Sequence, residues 1–368
     1  MSDFTSVPII DFQRLKDPAT KAETLAQLRD AIFLVGFLYL TNHGLESLTQ
    51  RTHAALPDLF SLAPETKEQT NMINSPSFLG YTRLGAETTA QKTDMREQFD
   101  FGTPNQPKNQ TATPPIWSRL EEGQNQYPTP ATQSLVEEYI SSFIPLSNTF
   151  LQYVAESLSL PPTTFDTYRG AMDRLKFIKY PPQHSSSGEK EGEEKSQGVG
   201  PHKDSTGLFT FLSQDTTGGL QVLNKRGDWI DVPPLEDSGA LVVNIQQGFE
   251  AITGGVCSAT VHRVVAPKHT TRYSIPFFMG IRMDLTLANL RESARHIVEK
   301  VPVGEGKWSD EDEMKRRAED VPSEFLSEKF ACFGEAYLRN RIISHPDVGR
   351  KWYPELYERY SSDPFYLH

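Results

Sequence analysis

The sequence predicts a mainly β protein: a jelly roll or β-sandwich core with helices before and after it. Short β-rich runs follow one another from about residue 171, and Gly, Pro, Asp or Asn separates most of them. Helical periodicity precedes these runs, and the tail beyond Ser323 returns to a helical pattern. Many short strands joined by turns are typical of sandwiches and jelly rolls.

The first region, residues 1–170, is predicted to be mainly helical. The stretch TLAQLRDAIFLV places apolar residues at helical spacing, and Gly36 interrupts this pattern. The FLYL that follows predicts a strand, and a second helix is expected after Gly44.

Two longer segments complete this region. Residues 103–130 carry Pro, Asn and Gln and are expected to form a surface loop. A long helix is predicted from Leu135, because its apolar residues lie close to one face. Pro145 is expected to bend or split this helix, since proline removes a backbone donor.

Residues 171–290 predict the jelly-roll core, and residues 291–368 predict a helical extension that packs on it. The core runs are RLKFIKYPP, GLFTFLSQD, GLQVLN, WIDVPP, ALVVNI, ATVHRVV and RYSIPFFMG. Residues 184–200 are charged and of low complexity, which predicts a mobile loop and leaves open whether it is a lid or disordered. The helix of the tail is clearest in EFLSEKFACFGEAYLRNRI, and the three regions are expected to form one structural unit.

The bulk composition of the 368 residues excludes several function classes. A net charge of −11 favours solubility and argues against non-specific nucleic-acid binding. No apolar run approaches the roughly 18 residues of a membrane helix. Two cysteines imply no disulfide framework, and MSDFTSVPIIDF lacks the blocks of a signal peptide. A cytoplasmic protein without nucleic-acid or membrane partners is therefore expected.

A metal site is predicted from three residues in two distant stretches. In PHKDSTG, His202 and Asp204 are two residues apart and would share one face of a strand. SATVHRVV supplies His262 from another strand-like run. Two histidines and one carboxylate form the facial triad of non-haem iron(II), although this ligand set alone leaves zinc open. The remaining histidines that we considered are interpreted as structural or solvated: His43, His184 and His345.

A carboxylate receptor is predicted one strand beyond the metal ligands. Arg272 and Ser274 in TRYSIPFF are two residues apart and would share a strand face. A guanidinium fork with a nearby hydroxyl suits a carboxylate. The pair therefore indicates a dicarboxylate that reaches from the metal to Arg272.

These motifs, in this order, resemble the iron(II)- and 2-oxoglutarate-dependent oxygenases of the isopenicillin N synthase-like group. That group includes the plant flavonoid and gibberellin oxygenases. The resemblance covers nearly the whole chain through VPIIDF, GFLYLTNHGL, FLGYTRLGAE, DMREQFDFG, RLKFIKYPP, GGLQVLNKRGDWIDVPP and ALVVNI. It implies a distorted double-stranded β-helix core wrapped by N-terminal and C-terminal helices.

The resemblance also assigns roles to residues. His202, Asp204 and His262 would ligate iron(II) and form the catalytic centre, and Arg272 with Ser274 would bind the distal carboxylate of 2-oxoglutarate.

Further roles follow from the same resemblance. Tyr180 would hydrogen-bond the cosubstrate near the iron, and Phe278 matches a position that often lines the substrate pocket. Other candidates for the pocket are Phe211, Tyr81, Arg83 and Gln246.

The sequence departs from the family pattern at two places. Gln246 and Gln247 stand where the family usually has Gly and Asp after its Val-Asn-Ile motif, which affects either substrate choice or turn geometry. Ile178 replaces an asparagine that is common two residues before the tyrosine, so fewer cosubstrate contacts are expected.

The implied activity is oxidation of a small organic molecule, with secondary metabolism as the expected setting. It would be coupled to conversion of 2-oxoglutarate and O2 to succinate and CO2 at iron. Hydroxylation, desaturation and ring-forming or ring-expanding oxidation all remain open, as do the substrate and the oligomeric state. The alternatives are a cosubstrate-independent iron oxidase, an enzyme that fragments 2-oxoglutarate to ethylene and, least favoured, a non-catalytic binding module.

Overall fold

The computed structural model describes residues 4–89, 92–104, 111, 113–183, 197–205, 207–235, 239–255, 257–290, 292–293 and 329–363. Its strands are β1 Ile9–Asp11, β2 Phe37–Thr41, β3 Gly80–Thr82, β4 Thr88–Thr89, β5 Lys92–Thr93, β6 Glu97–Gly102, β7 Arg174–Tyr180, β8 Gln197–His202, β9 Gly207–Gln214, β10 Leu220–Leu223, β11 Trp229–Asp231, β12 Leu241–Ile245, β13 His262–Val265 and β14 Arg272–Gly280. Its α-helices are α1 Phe12–Lys16, α2 Lys21–Leu34, α3 Glu46–Ser61, α4 Pro64–Gln69, α5 Pro130–Ser157, α6 Gln247–Ile252, α7 Phe333–Ser344, α8 Pro346–Trp352 and α9 Pro354–Ser362.

Two sheets form the β core. The larger sheet has eight strands in the order β1-β2-β12-β9-β14-β7-β6-β3, and the smaller has four in the order β11-β10-β13-β8. Strands β4 and β5 form a separate hairpin-like pair. Neighbouring strands of both main sheets run antiparallel, except that β1 and β2 are parallel. The prediction of a mainly β jelly roll with flanking helices is confirmed.

Each face of the larger sheet packs against a different partner. Successive side chains of a strand point to opposite faces, so residues that are paired across strands share a face. One apolar cluster fills the space between the two sheets; it includes Phe37, Tyr39, Ile178, Tyr180, Val222 and Val264. A second, larger cluster joins the other face of the sheet to the helices. We call these the interior face and the helix face.

Helix α5 covers the helix face. It begins after Thr129, whose side-chain oxygen accepts a hydrogen bond from the backbone N–H of Thr132. Phe150 contacts Phe211 of β9 with ring centroids 5.4 Å apart. Pro145 lies inside the helix, which continues through it from Pro130 to Ser157. The expected split at Pro145 is therefore wrong, because burial of the aromatic face against the sheet outweighs one lost backbone hydrogen bond.

The predicted N-terminal elements are confirmed as α2, β2 and α3. Gly36 joins the first two with a positive φ of 71°, and a Cβ at this position would lie 2.5 Å from Oγ1 of Thr260. Only glycine fits such a turn without displacing its neighbour. The first 170 residues also contribute β1, β2, β3 and β6 to the larger sheet, so this region supplies strands of the core as well as helices.

The segments on either side of the core differ in part from the predictions. Residues 197–200 belong to strand β8 rather than to the predicted mobile loop, and residues 184–196 lie outside the described residues. Helix α7 confirms the predicted tail helix from residue 333, while 324–328 also lie outside. Among the helices that the structure describes, none has the length and apolarity that crossing a membrane requires.

Candidate metal centre and cosubstrate pocket

Strand pairing in the smaller sheet brings the predicted metal ligands together. His202 ends β8 and His262 begins β13, and the two residues face each other in the antiparallel register. Asp204 follows two residues after His202. One ligating atom from each of the three residues lies within 4.8 Å of the others. The two imidazole rings are 4.3 Å apart between centroids.

Backbone carbonyls set the orientation of both imidazoles. Nδ1 of His202 lies 2.8 Å from the carbonyl oxygen of Gly200, and Nδ1 of His262 lies 3.1 Å from that of Thr260. A carbonyl oxygen only accepts, so each Nδ1 carries a proton, and the neutral form of each ring presents a lone pair on Nε2. The Nε2 atoms lie 3.6 and 3.7 Å from Oδ1 of Asp204.

Two residues of the larger sheet hold the carboxylate of Asp204. Its Oδ2 accepts hydrogen bonds from the hydroxyl of Thr210 at 2.5 Å and from the amide of Asn244 at 2.9 Å. Burial alone would raise the pKa of Asp204, but His262, His202 and the Asn244 hydrogen bond together hold it well below its usual range. Asp204 is therefore ionised, and Oδ1 faces the two imidazoles.

The two histidines differ in exposure. The side chain of His262 is 9% exposed and that of His202 is 28% exposed, so the centre opens on the side of His202. Burial, and next the neighbouring His202, lowers the pKa of His262 to about 4. Its ring also packs edge-on against Phe37. Neutral imidazole is the form that ligates a metal.

These three side chains fit an iron(II) site. Two imidazoles and one ionised carboxylate are the donors of a facial triad, and each is oriented by a hydrogen bond with a second group. The arrangement leaves room for further ligands on the exposed side.

Arg272 lies at the other end of the interior face and is 1% exposed. Its Nε donates to the carbonyl of Gly218 at 2.7 Å, while the terminal nitrogens Nη1 and Nη2 are buried without a hydrogen-bond partner among the described residues. Buried polar atoms nearly always have partners. The guanidinium fork is therefore shaped for a carboxylate, and Ser274, two residues further along β14, is 2% exposed on the same face.

Tyr180 is the cross-strand partner of Arg272 and is buried. The guanidinium of Arg272 lies over its ring, 4.9 Å from the centroid. On the other side, Tyr180 hydrogen-bonds the side chain of Arg96. Tyr180 therefore lies between two guanidinium groups on the interior face.

Two of the substrate-pocket candidates lie near this interior face. Phe278 pairs with Arg174 on one side and with Thr210 on the other, and it is partly exposed. Its position beside Thr210 agrees with a role in the pocket. Gln246 is fully buried where α6 begins, and its Nε2 donates to the carbonyl of Phe209. Its side chain supports the backbone of β9, and its role in the pocket stays a prediction.

The sheet register places two other pocket candidates, Phe211 and Tyr81, on the helix face and so corrects their predicted place in the pocket. Phe211 pairs with Phe277 and packs against α5, so it lies on the helix face. Tyr81 pairs with Phe99 on that same face, and its hydroxyl donates to Glu97. Arg83 is exposed just beyond β3. Phe211 and Tyr81 therefore lie on the face away from the metal ligands, and the role of Arg83 stays a prediction.

The sequence predictions missed the residues that orient Asp204. Thr210 and Asn244 are cross-strand partners in β9 and β12. Asn244 interrupts the apolar run LVVNI, and a polar residue inside a buried strand is a usable signal because it requires a partner. His345, predicted to be structural or solvated, is 2% exposed and lies within 3.8 Å of Glu87.

Sequence profiles of known families match both halves of the chain. Residues 7–129 match the non-haem dioxygenase in morphine synthesis N-terminal family, and residues 172–281 match the 2OG-Fe(II) oxygenase superfamily.

Individual relatives and a solved structure agree with these profiles. The chain is 40% identical to the 2-oxoglutarate-dependent dioxygenase frbJ of Dothideomycetidae sp. (strain 11243), over 96% of this chain and 94% of that protein. It is 34% identical to a 2-oxoglutarate-dependent dioxygenase of Gibberella zeae, over 96% and 93%. The crystal structure of the dioxygenase for auxin oxidation (DAO) in rice is similar in fold, with a TM-score of 0.56 and 27% identity over 75% of this chain and 83% of that one.

Proposed function

The chain belongs to the 2OG-Fe(II) oxygenase superfamily, and on that premise we propose a role for each residue of the site. The enzyme oxidises a small molecule and uses iron(II) and 2-oxoglutarate to do so. His202, Asp204 and His262 hold the iron. Arg272 and Ser274 bind the distal carboxylate of 2-oxoglutarate, and Tyr180 contacts the cosubstrate between them and the metal.

The observation that carries this proposal is the pairing of the triad with the unpartnered fork of Arg272. Both belong to the same β core, and Arg272 stacks on Tyr180, a member of the interior cluster between the two sheets. A dicarboxylate satisfies both ends. Hydrogen bonds from a guanidinium to a carboxylate contribute about 1.5–3 kcal/mol each, more than bonds between neutral groups.

The chain's own residues prepare the site before any ligand binds. Carbonyls of Gly200 and Thr260 keep the proton on Nδ1 of each histidine, and Thr210 with Asn244 fixes the rotation of the Asp204 carboxylate. Such supporting contacts change metal affinity by roughly 10- to 100-fold when they are removed.

Apolar side chains exclude water from the reaction space. Val199, Leu220, Val222 and Val264 of the smaller sheet face the interior cluster and are buried. When bound, iron(II) with 2-oxoglutarate and O2 supplies the oxidation of a substrate C–H bond, with succinate and CO2 as products. The protein's contribution is to position the substrate and to keep this space free of water.

The biological setting extends beyond the family assignment. We place the reaction in secondary metabolism, supported by the match of residues 7–129 to a family named for morphine synthesis. A cytoplasmic location stays a prediction from the low cysteine content.

Metal analysis with single variants tests the residue roles. After anaerobic reconstitution with iron(II) and desalting, we expect the wild-type chain to retain one iron and Asp204→Ala to retain little. We expect the wild-type protein then to convert 2-oxoglutarate to succinate, and Asp204→Ala not to do so. Equal iron content in both proteins would show that the metal is bound elsewhere.

A further inference from the structure

A row of charged and polar side chains continues the interior face beyond the metal centre. Gln98 and Asp100 of β6 pair with Ile178 and Lys176 of β7, so they share the face of Tyr180. Four residues from outside these two strands meet them there. The charged wall is defined as Glu87, Arg96, Gln98, Asp100, Lys176, Arg341 and His345.

Ion pairs join the β strands of the wall to helix α7. Oδ1 of Asp100 lies 3.3 Å from Nζ of Lys176 and 3.4 Å from Nη2 of Arg341. Asp100 is completely buried, and Lys176 is 9% exposed. Burying ionised groups costs several kcal/mol each before pairing, and an apolar core of the same shape is often at least as stable. Stability alone therefore does not account for these charges.

A second set of contacts centres on Glu87. Its Oε2 accepts from Arg96 at 2.8 Å and from Gln98 at 2.9 Å, and its Oε1 lies 3.8 Å from Nε2 of His345. Burial would raise the pKa of Glu87, but Arg96 and then Lys176 hold it well below its usual range. Burial lowers the pKa of His345 to about 3, which keeps this ring neutral.

Four atoms of the charged wall are buried without a hydrogen-bond partner in the part of the chain that the structure describes. They are Nε of Arg96, Oε1 of Gln98, Nε of Arg341 and Nε2 of His345. Two are donors, one is an acceptor, and the role of the histidine nitrogen depends on its tautomer. Because an unpartnered buried group costs about 1–3 kcal/mol, their concentration in one wall indicates that a ligand satisfies them.

The sheet register places the wall within reach of the metal centre. Thr210, which bonds Asp204, pairs with Phe278, and Phe278 pairs with Arg174 of β7. Lys176 lies one position further along the same face of β7. At about 4.8 Å per strand, β7 and β6 are roughly 10–15 Å from Thr210 across the sheet. A small molecule with an extended chain spans that distance.

We propose that the substrate is a small zwitterion of the amino-acid class, with its charged end on the wall and its reacting C–H bond at the metal centre. This inference rests on the proposed function and adds the substrate class to it. Asp100 receives the cationic group. Lys176 and the unpartnered Nε of Arg341 receive the carboxylate, and the unpartnered amide oxygen of Gln98 supplies a further acceptor.

The chemistry of the wall argues against the competing class of uncharged phenolic or terpenoid substrates. Such a molecule would bury the same charges and leave Nε of Arg341 and Oε1 of Gln98 unsatisfied. A zwitterion instead exchanges its water for opposite charges that are already fixed in place.

A substrate panel tests the class directly. Free amino acids with cationic or amide side chains are compared with uncharged phenolics and terpenoids of similar size. The readouts are succinate released with iron(II), 2-oxoglutarate and O2, and heat of binding measured anaerobically. Amino acids are expected to bind and to raise succinate release at least 10-fold over the cosubstrate alone. Response to the uncharged compounds only, or to no amino acid, would overturn the proposal.

Charge-matched variants assign the two ends of the substrate. For the best amino acid, its carboxamide removes the anionic group and its N-acetyl derivative removes the cationic group. The wild-type protein is expected to bind either derivative at least 10-fold more weakly. Lys176→Met is expected to lose the discrimination against the carboxamide, and Asp100→Asn to lose the discrimination against the N-acetyl derivative.

Lys179→Met is the matched control. Lys179 lies three residues along the same strand but on the helix face, where it pairs with Glu97 at 2.8 Å. This variant is expected to bind all three compounds like the wild-type protein. Unchanged discrimination in Lys176→Met and Asp100→Asn, with only a lower melting temperature, would show that the wall is structural.

The wild-type protein separates this inference from the proposed function. If it binds iron(II) and 2-oxoglutarate but no amino acid, the substrate class is wrong and the function stands. If it binds neither iron(II) nor 2-oxoglutarate, the proposed function is wrong, and the substrate class that rests on it is wrong as well.

Discussion

The two faces of the eight-stranded sheet differ in whether the buried polar atoms of their side chains have hydrogen-bond partners. On the helix face, Phe211 and Phe277 pack against aromatic residues of α5 and need no further partner. On the interior face, Arg272 of β14 and Gln98 of β6 carry buried atoms that lack a hydrogen-bond partner in the described chain. Strand alternation thus separates residues that stabilise the fold from residues prepared for ligands.

The contrast holds along individual strands. In β14, Arg272 and Ser274 face the interior, and Phe277 between Pro276 and Phe278 faces the helices. A substitution on one face should therefore change ligand binding, and a substitution on the other should change stability. The variants below separate these two effects, beginning with the largest.

The largest expected effect comes from a metal ligand. His202→Ala removes one of three donors, and removing even a supporting contact of a ligand costs 10- to 100-fold. Iron-dependent succinate release should fall by at least about 100-fold. The melting temperature of the iron-free protein should stay close to the wild-type value, because this side chain is partly exposed. If excess iron(II) restored the succinate release of His202→Ala to the wild-type rate, His202 would not be an essential iron ligand.

The next effect is on the helix face. Phe211→Ala leaves a cavity between β9 and α5 and should lower the free energy of unfolding by about 3–5 kcal/mol. Denaturant unfolding measures this loss. Succinate release per folded molecule, and its dependence on 2-oxoglutarate, should match the wild-type protein. A selective rise in the 2-oxoglutarate requirement would place Phe211 in the pocket after all.

Arg272, the proposed cosubstrate anchor, should show the opposite pattern: substitution should change the 2-oxoglutarate dependence more than the stability. Arg272→Lys keeps the charge but replaces the planar fork with a single ammonium group. Losing one charge-assisted hydrogen bond of about 1.5–3 kcal/mol raises the KM for 2-oxoglutarate by roughly 10- to 100-fold. Steady-state kinetics with varied 2-oxoglutarate measures it. An unchanged KM would move the carboxylate receptor to another residue.

A smaller effect is expected from the group that orients Asp204. Thr210→Val removes the 2.5 Å hydrogen bond to Oδ2 and keeps the side-chain volume. The dissociation constant for iron(II) should rise by about 10-fold. Competition with a metal chelator measures the affinity. Ser213→Ala, on the opposite face of the same strand, serves as the control and should leave the iron affinity unchanged.

The smallest effect concerns pH and the helix side of the sheet. Burial lowers the pKa of His53 on α3 to about 4. The unfolded chain binds this proton near pH 6.5, so its contribution to stability is lost as the pH falls from 6.5 towards 4. His53→Gln should make the decline in unfolding free energy over this window shallower, by at most about 1.4 kcal/mol per pH unit. An identical slope for both proteins would show that His53 does not titrate there.

Sequence patterns predicted the helices and strands that have regular apolar spacing, and they predicted the site residues that belong to a recognisable motif. Helix α2, strand β2 and the three metal ligands follow from local spacing, and the structure brings those ligands together. The pocket candidates Phe211 and Tyr81 failed because composition does not reveal which face of a central strand looks inward.

The charged wall could not be predicted from the sequence for a related reason. Asp100 and Lys176 belong to strands that meet only through the register of β6 and β7, and Arg341 reaches them from the tail. Charged residues in a sequence are usually solvated, so nothing local indicates that these three are buried together.

The central claim is that the triad and Arg272 hold two ends of one cosubstrate complex. An anaerobic titration of the protein with iron(II) and 2-oxoglutarate tests it most directly through the visible charge-transfer band of that complex. We expect the wild-type protein to develop the band at one equivalent of iron, Arg272→Lys to require at least 10-fold more 2-oxoglutarate, and His202→Ala to develop none. A band of equal intensity and equal 2-oxoglutarate dependence in all three proteins would contradict the account.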